Sequence, residues 1–270
     1  MRNGLIVKPS VLLMIFILAE ALFLCDFFSI QASDPARIVN YSGDVVLLRR
    51  DEKISPSIDL VLKANDTIRT GTGSFVEVSY DDRLANVVRV EENSKVVLDC
   101  VSLTKNTRVS MDRGELILKL KKLKEGSQFK VHTPVAIAGA RGTGFSVSLN
   151  TDGAVMKCYK SAIYIREVRG DGADTAPEIT VHEGWKMAVT GHGSPLCPER
   201  LERPERHRWD RWLADVRHLM KERAMLSTSF TRLARARCLS LDFEESGIMK
   251  KDLVTLLKVD AMRMGLPVGM

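Results

Sequence analysis

The chain has 270 residues, 45% of them hydrophobic and 27% charged, which suits one domain with appendages or two small domains. That apolar fraction excludes wholesale disorder. A net charge of +6 favours acidic partners such as phospholipid headgroups, anionic wall polymers or nucleic acid, but by itself selects none of them.

Arg2 and Lys8 precede an apolar stretch from Val11 to Ile30, broken by Glu20 and Asp26. A basic start before an apolar run reads as a secretory signal or an N-terminal membrane anchor over residues 1–32. The run is about 20 residues, the length that spans a bilayer. Two features pull in opposite directions. Ile30-Gln31-Ala32 before Ser33 is a weak cleavage site because Ile30 is not small. Glu20 would cost roughly 2.5–3.5 kcal/mol at a helix centre. Both readings stay open. Leu22-Phe23-Leu24-Cys25 superficially suggests a lipoprotein cysteine, and the bulk of Leu24 argues against it. The basic start places everything after Ser33 beyond the membrane. Membrane association through this segment is therefore an expected partner interaction.

Cys100, Cys158, Cys197 and Cys238 follow. In an oxidising compartment they permit two bridges with three connectivities, or isolated thiols. No CxxC pair or Cys/His cluster has zinc spacing, so no cofactor or metal is expected.

From Arg37 to about Val189, short β-like runs alternate with turn residues. The expected strands are residues 45–48, 75–80, 86–90, 95–98, 115–120, 129–132, 145–149, 155–159, 162–168 and 186–189. Asn65-Asp66, Gly71-Thr72-Gly73, Asp81-Asp82, Gly114, Gly126 and Asp152-Gly153 read as the turns between them. The fold class is mainly β: a twisted β-sandwich or a short solenoid-like domain over residues 37–192. No strand–helix alternation supports a nucleotide-binding α/β domain. A Pro- and charge-rich linker from Pro195 to Pro204 leads into a helical region over 199–270. There Trp209, Trp212, Leu213, Val216, Leu219 and Met220 recur at helical spacing. Phe230, Leu233 and Ala234 continue the pattern, and a last helix is expected around Leu253, Leu256, Leu257 and Ala261. Between Glu199 and Cys238, eleven basic against six acidic side chains put +5 of the +6 net charge in one segment. A basic, Trp-bearing stripe can lie on an anionic membrane or dock on protein. The interspersed acids and the large apolar area of the tryptophans favour docking.

Near the middle, Phe129-Lys130-Val131-His132-Thr133-Pro134-Val135-Ala136 precedes Arg141-Gly142-Thr143-Gly144-Phe145-Ser146-Val147. Pro134 cannot donate to a ladder, Gly142 and Gly144 permit angles closed to bulky residues, and Phe145 and Val147 share one face of a strand. The pattern resembles the "F-x-V-x-T-P … R-G-T-x-F-x-V" heart of the FecR-type periplasmic domain. Leu60, Asn65-Asp66, Ile68 and Thr70-Gly71 resemble that family's "L-x-x-G-D-x-I-x-T-G" start, with Asn65 at the usual glycine. Arg113-Gly114-Glu115-Leu116 resembles its "R-G-x-L" turn, while Asp81-Asp82-Arg83 departs from the Asp-Gly turn common there. Thr133, Pro134, Arg141, Gly142, Thr143, Phe145 and Val147 are the motif residues. Their expected role is structural: a turn plus a strand that organise the fold, with Arg141 the one candidate ligand contact.

As a family, FecR proteins transmit signals across the inner membrane through a periplasmic part that meets an outer-membrane transporter and a cytoplasmic part that controls a sigma factor. Only Met1 to Ser10 is expected on the cytoplasmic side, too short for such a part. The resemblance therefore implies a stand-alone FecR domain in the bacterial envelope, acting as a non-catalytic binding or assembly module. Its expected partner is an envelope protein or an anionic wall or membrane component. Nucleic acid is disfavoured. A membrane-anchored sensor related to the FecR transducers is the alternative. An envelope hydrolase is a third, unsupported by any G-x-S-x-G elbow, P-loop or H-E-x-x-H helix.

Overall fold

The computed structural model describes residues 35–101, 103, 106–168, 177–190 and 197–244, with helix side chains described as far as residue 225. The N-terminal segment 1–32, the helix expected around Leu253 and the side chain of Cys238 lie outside the described residues.

The described chain is mainly β with one helix, as the alternating runs predict. Sixteen strands form a connected path that divides into two sheets. The first sheet runs, in spatial order, through β1 (Arg37–Ser42), β5 (Phe75–Ser79), β6 (Val87–Val90) and the second half of β8 (Thr107–Lys119). It continues through β11 (Gly144–Asn150), β12 (Gly153–Lys160), β15 (Trp185–Val189) and β16 (Glu199–Arg200). The second runs through β3 (Glu52–Ile54), β2 (Val45–Arg49), β4 (Asp66–Thr70), β7 (Lys95–Cys100) and the first half of β8. It ends in β9 (Phe129–His132), β10 (Ala136–Ala140), β13 (Ala162–Glu167) and β14 (Ile179–His182). β8 pairs with β9 in parallel, whereas its pairings with β6, β7 and β11 are antiparallel.

Alternation decides which face each strand buries. Ile163 and Ile165 of β13 are buried while Tyr164 and Arg166 are not. Leu47, Ile68, Val96, Val109 and Met111 of the second sheet join Val76, Val78, Leu116, Leu118 and Phe145 of the first in one apolar cluster. Tyr80 meets Phe129 edge-on within it, with ring centroids 5.4 Å apart.

The chain repeatedly crosses from one sheet to the other, and the crossings stack. β1 passes to β2 at Gly43, β4 to β5 at Gly71–Ser74, β6 to β7 at Glu91–Ser94, and β8 turns from one sheet into the other at Gly114. Hydrogen bonds tie neighbouring corners together. The Gly71 amide donates to the Asp44 carbonyl at 2.9 Å. The Ser94 amide donates to Thr70 Oγ1 at 3.0 Å, and Thr70 Oγ1 donates to the Glu91 carbonyl at 2.6 Å. Ser74 Oγ accepts the Asp44 amide at 2.8 Å, and Ser94 Oγ accepts the Glu115 amide at 3.1 Å. These bonds satisfy backbone groups that a change of sheet would otherwise leave unpaired.

Gly114 departs from its expected role. It does not separate two strands but lies inside one 13-residue strand. Its φ is +100°, and across it the buried positions change parity, from Val109 and Met111 to Leu116 and Leu118. That parity change hides the first half of β8 from a period-2 reading of residues 115–120. Asn65, at the usual family glycine, has φ +68°, a left-handed conformation that asparagine tolerates better than most residues. β1, β3, β4, β10, β14 and β16 are strands that the alternating runs do not predict, and β16 falls at the start of the region expected to be helical, where it pairs with β15. β10, Ala-Ile-Ala-Gly-Ala, has almost no β-forming residues and is held by its neighbours β9 and β13.

A Cβ at Gly114 would lie 2.5 Å from the Ser94 Cα. Gly114→Val is therefore expected to lower unfolding free energy by on the order of 2–4 kcal/mol, from the positive φ and the overpacked corner together. Urea titration checks it, and an unchanged midpoint would mean that the corner is not the constraint described.

Candidate functional site

The motif residues form a strand–corner–strand unit, not a pocket. The Thr133 amide donates to the Ala136 carbonyl at 2.9 Å and Thr133 Oγ1 accepts the Ala136 amide at 2.9 Å, which closes the β9–β10 hairpin. Pro134 sits exposed at its tip. At the other end of β10, Arg141 is exposed and its carbonyl accepts the Leu123 amide at 2.8 Å. Gly142 has φ +137°, and a Cβ there would come within 2.4 Å of the Lys122 Cα. Thr143 is buried; its carbonyl accepts the Leu120 amide at 2.9 Å and its hydroxyl donates to the Lys160 carbonyl. Phe145 and Val147 enter the core from β11.

Gly144 has a different reason to be small. A Cβ there would lie 2.3 Å from Cζ2 of Trp209, so the glycine makes room for the helix α1 (Arg203–Glu244) that covers the first sheet. Trp209, Trp212 and Val216 are buried there against Val39, Leu84, Val87 and Ile117, in agreement with the docking reading of the stripe. Trp209 stacks on Tyr159 at 4.8 Å between centroids and 5° between planes. Trp212 Nε1 donates to Glu77 Oε1 at 2.8 Å. Glu77 is itself buried on β5 and also accepts from Arg89 Nη1 and Asn40 Nδ2, both at 3.1 Å.

Ion pairs flank the apolar strip. Arg208 meets Glu115 at 2.8 Å and Glu91 at 3.2 Å, Glu205 meets Lys157 at 3.1 Å, and Arg223 meets Asp59 at 2.5 Å. These charges of the segment thus face partners on the β-domain. Lys119 donates to the Leu84 carbonyl at 2.6 Å. Burial pulls its ammonium below the usual value and nearby Arg217 adds to this, while Asp81 opposes it.

The outer face of the second sheet is different. A groove of about 400 Å³ crosses β8, β9, β10 and β13. Arg108, Lys130, His132 and Arg166 line it together with the carboxylate of Glu178, with Ile137, Tyr164 and Gln128 beside them and Gly139 as its floor. Lys130 and His132 fall on one face of β9 by simple alternation, a signal readable in the sequence. Their meeting with Arg108 and Arg166 is not readable: Arg108 arrives through the parallel β8–β9 pairing, and Arg166 through β10, a strand with little β propensity.

Asp81, in one of the expected turns, organises its own loop: Oδ1 accepts the Arg83 and Ala85 amides, each at 2.9 Å, and Oδ2 the Asn86 amide at 2.7 Å. Among the described residues no group of three or more His, Cys, Asp or Glu side chains could hold a metal ion, and no helix is long and apolar enough to cross a membrane. Cys100, Cys158 and Cys197 stand as free thiols.

Residues 66–164 match the family described as FecR protein. No curated protein matches the chain. Two crystal structures of a candidate anti-sigma factor from Parabacteroides distasonis ATCC 8503, at 1.65 and 2.50 Å resolution, match with TM-scores of 0.43 and 0.44 at 15% identity. Each match covers 53% of this chain and 63% of the other.

Two expectations follow from the packing. Trp212→Ala should cost about 3–5 kcal/mol, while Trp212→Phe, which removes one donor to a buried carboxylate, should cost about 1–3 kcal/mol. Denaturant titration with tryptophan emission measures both. An exposed, red-shifted emission and equal stability in all three proteins would contradict the docked helix. Burial pushes the Cys158 thiol up from about 9 to about 11, with the Thr143 hydroxyl and backbone groups pulling partly back. The raised value favours the protonated thiol in the folded state. Its stabilisation is complete below pH about 9 and lost as pH rises through about 11. At pH 8 a disulfide reagent should therefore modify exposed Cys197 at once and Cys158 only on unfolding. Equal rates would contradict the buried placement.

Proposed function

We propose that this chain, which carries a FecR-family domain over residues 66–164, is an exported, non-catalytic recognition module of the bacterial envelope. The observation that carries the reading is the unequal use of its two outer faces. One is committed to the protein's own helix through Trp209, Trp212 and Val216. The other presents a polar groove. A short solenoid-like sandwich suits such a role, because its stacked corners hold the strands in register and so hold groove side chains in fixed positions. Partners on this reading are an envelope protein or an anionic wall or membrane component. The motif residues Thr133, Arg141 and Thr143 serve the scaffold through the hairpin and corner hydrogen bonds they make, and Gly142 through the close approach of Lys122.

The second reading is a membrane-anchored sensor related to the FecR signal transducers. The family match favours it, as does the apolar N-terminal run from Val11 to Ile30. The N-terminal residue of the native protein separates the two: a start near Ser33 supports a released module, and a retained Met1 supports an anchored sensor.

Export is the common premise. In intact bacterial cells Cys197, exposed in the structure, should be labelled by a thiol reagent that reaches the periplasm but does not cross the inner membrane. The domain should resist added protease until the outer membrane is permeabilised. Labelling that requires lysis of the inner membrane would reject the envelope assignment.

A further inference from the structure

We propose that the groove on the second sheet is a binding site for a small carboxylate- or phosphate-bearing ligand, about the size of one acidic sugar. The proposal rests on the recognition-module reading and names the chemistry recognised.

Strand register builds the site. Arg108 and Lys130 are in-register neighbours across the parallel β8–β9 pair. Lys130 lies opposite Gly139, and Gly139 lies opposite Tyr164. One step along, His132 and Arg166 flank Ile137 from either side. Adjacent strands lie about 4.8 Å apart, so these basic groups share a small area of one face. Like charges on paired positions oppose strand pairing. Folding alone would not favour the in-register Arg108–Lys130 pair, and we read that pair as the mark of a bound anion. An acid lines the groove as well. Glu178 is exposed and 3.5 Å from Arg166. Asp99, further across the sheet, accepts the Ser110 hydroxyl at 2.5 Å.

Gly139 supplies an independent indication. Glycine in a strand interior weakens the strand and often marks a place where something approaches the backbone closely. The fold does not require it here. Gly139 has no left-handed φ, and a Cβ would meet only the Tyr164 carbonyl oxygen, at an ordinary 3.8 Å. The missing side chain leaves the floor open. A volume of about 400 Å³ lies in the range of small-molecule sites. Arg108 and Arg166 can grip a carboxylate or phosphate in bidentate fashion. The Tyr164 ring offers a flat wall against which a sugar ring can lie.

The test uses the full chain, with glucuronate and inorganic phosphate as probes and glucose as the neutral control, followed by titration calorimetry and amide chemical shifts. The expected result is saturable binding of at least one anion at low salt and none of glucose. Amides of β9, β10 and β13 should shift, and affinity should fall as salt rises. Glucuronate binding alone identifies a carboxylate ligand, and phosphate binding alone a phosphate ligand; either outcome supports the proposal. Gly139→Leu fills the floor with a residue that suits a strand better, so it should keep or raise the melting temperature while weakening binding at least tenfold. Arg108→Gln with Lys130→Gln should weaken binding similarly and flatten its salt dependence. No binding of either anion to the folded wild type, or undiminished binding to a folded Gly139→Leu variant, overturns the proposal. A cytosolic location would defeat the envelope reading but leave this chemistry standing, so the two failures are distinguishable.

Discussion

The rest of the structure depends on the bend of β8 at Gly114. One strand must pair with β7 and β9 in the second sheet and with β6 and β11 in the first, and it must bury apolar side chains in both. A straight strand keeps one parity throughout. It would bury Val109 and Met111 and then turn Leu116 and Leu118 outward. Gly114, at φ +100°, inserts the change of parity that lets all four enter one cluster. Its lack of a side chain lets Ser94 pack against the corner, and Ser94 in turn accepts the Glu115 amide. A backbone conformation open to few residues thereby fixes the packing of both sheets.

The covering helix follows from that arrangement. Bringing β5, β6, β8 and β11 side by side assembles an outer face with Ile117 and Val87 at its centre and Glu77 buried among them. A buried carboxylate is costly unless it is hydrogen-bonded and paired. Arg89, Asn40 and Trp212 together meet that need. The helix is thus tied to the sheet by an apolar strip, by the seat of Trp209 over Gly144, by flanking ion pairs and by one indole N–H to a buried carboxylate. Where the groove crosses the second sheet, charged and polar side chains predominate, with Ile137 and Tyr164 between them. The contrast between the two faces traces to which side chains alternate outward: Ile117 and Val87 on one, Lys130, His132 and Arg166 on the other.

Much of this arrangement is legible in the amino-acid order. Short runs rich in Val, Ile and Leu, several of them alternating at period 2, mark β2, β5, β7, β11, β12 and β13 close to their observed bounds. The order of the Thr133-Pro134 and Arg141–Val147 motifs points to the family, and the Trp209–Met220 spacing points to a helix with one apolar side. What stays hidden depends on partners distant in sequence. β10 has little intrinsic preference for a strand and exists because β9 and β13 flank it. Glu77 reads as an ordinary outward residue of a half-buried strand, yet Trp212, 135 positions away, reaches it. Gly144 reads as part of a turn, whereas its constraint comes from the Trp209 ring. The groove cannot be assembled from sequence for the same reason: Lys130 and His132 are visible as a pair, but Arg108 and Arg166 join them only through strand order.

The central claim is that the bent strand makes both sheets one cooperative unit. Native-state hydrogen exchange tests it most directly, because it resolves local from global opening. The account predicts that the slowest amides on the two sides of Gly114, around Val109 and Met111 and around Leu116 and Leu118, exchange with the same opening free energy and the same denaturant dependence, equal to those of global unfolding. If the amides of the second sheet open at a distinctly lower free energy while those of the first stay protected, the sheets are separable and β8 is not the element that unites them.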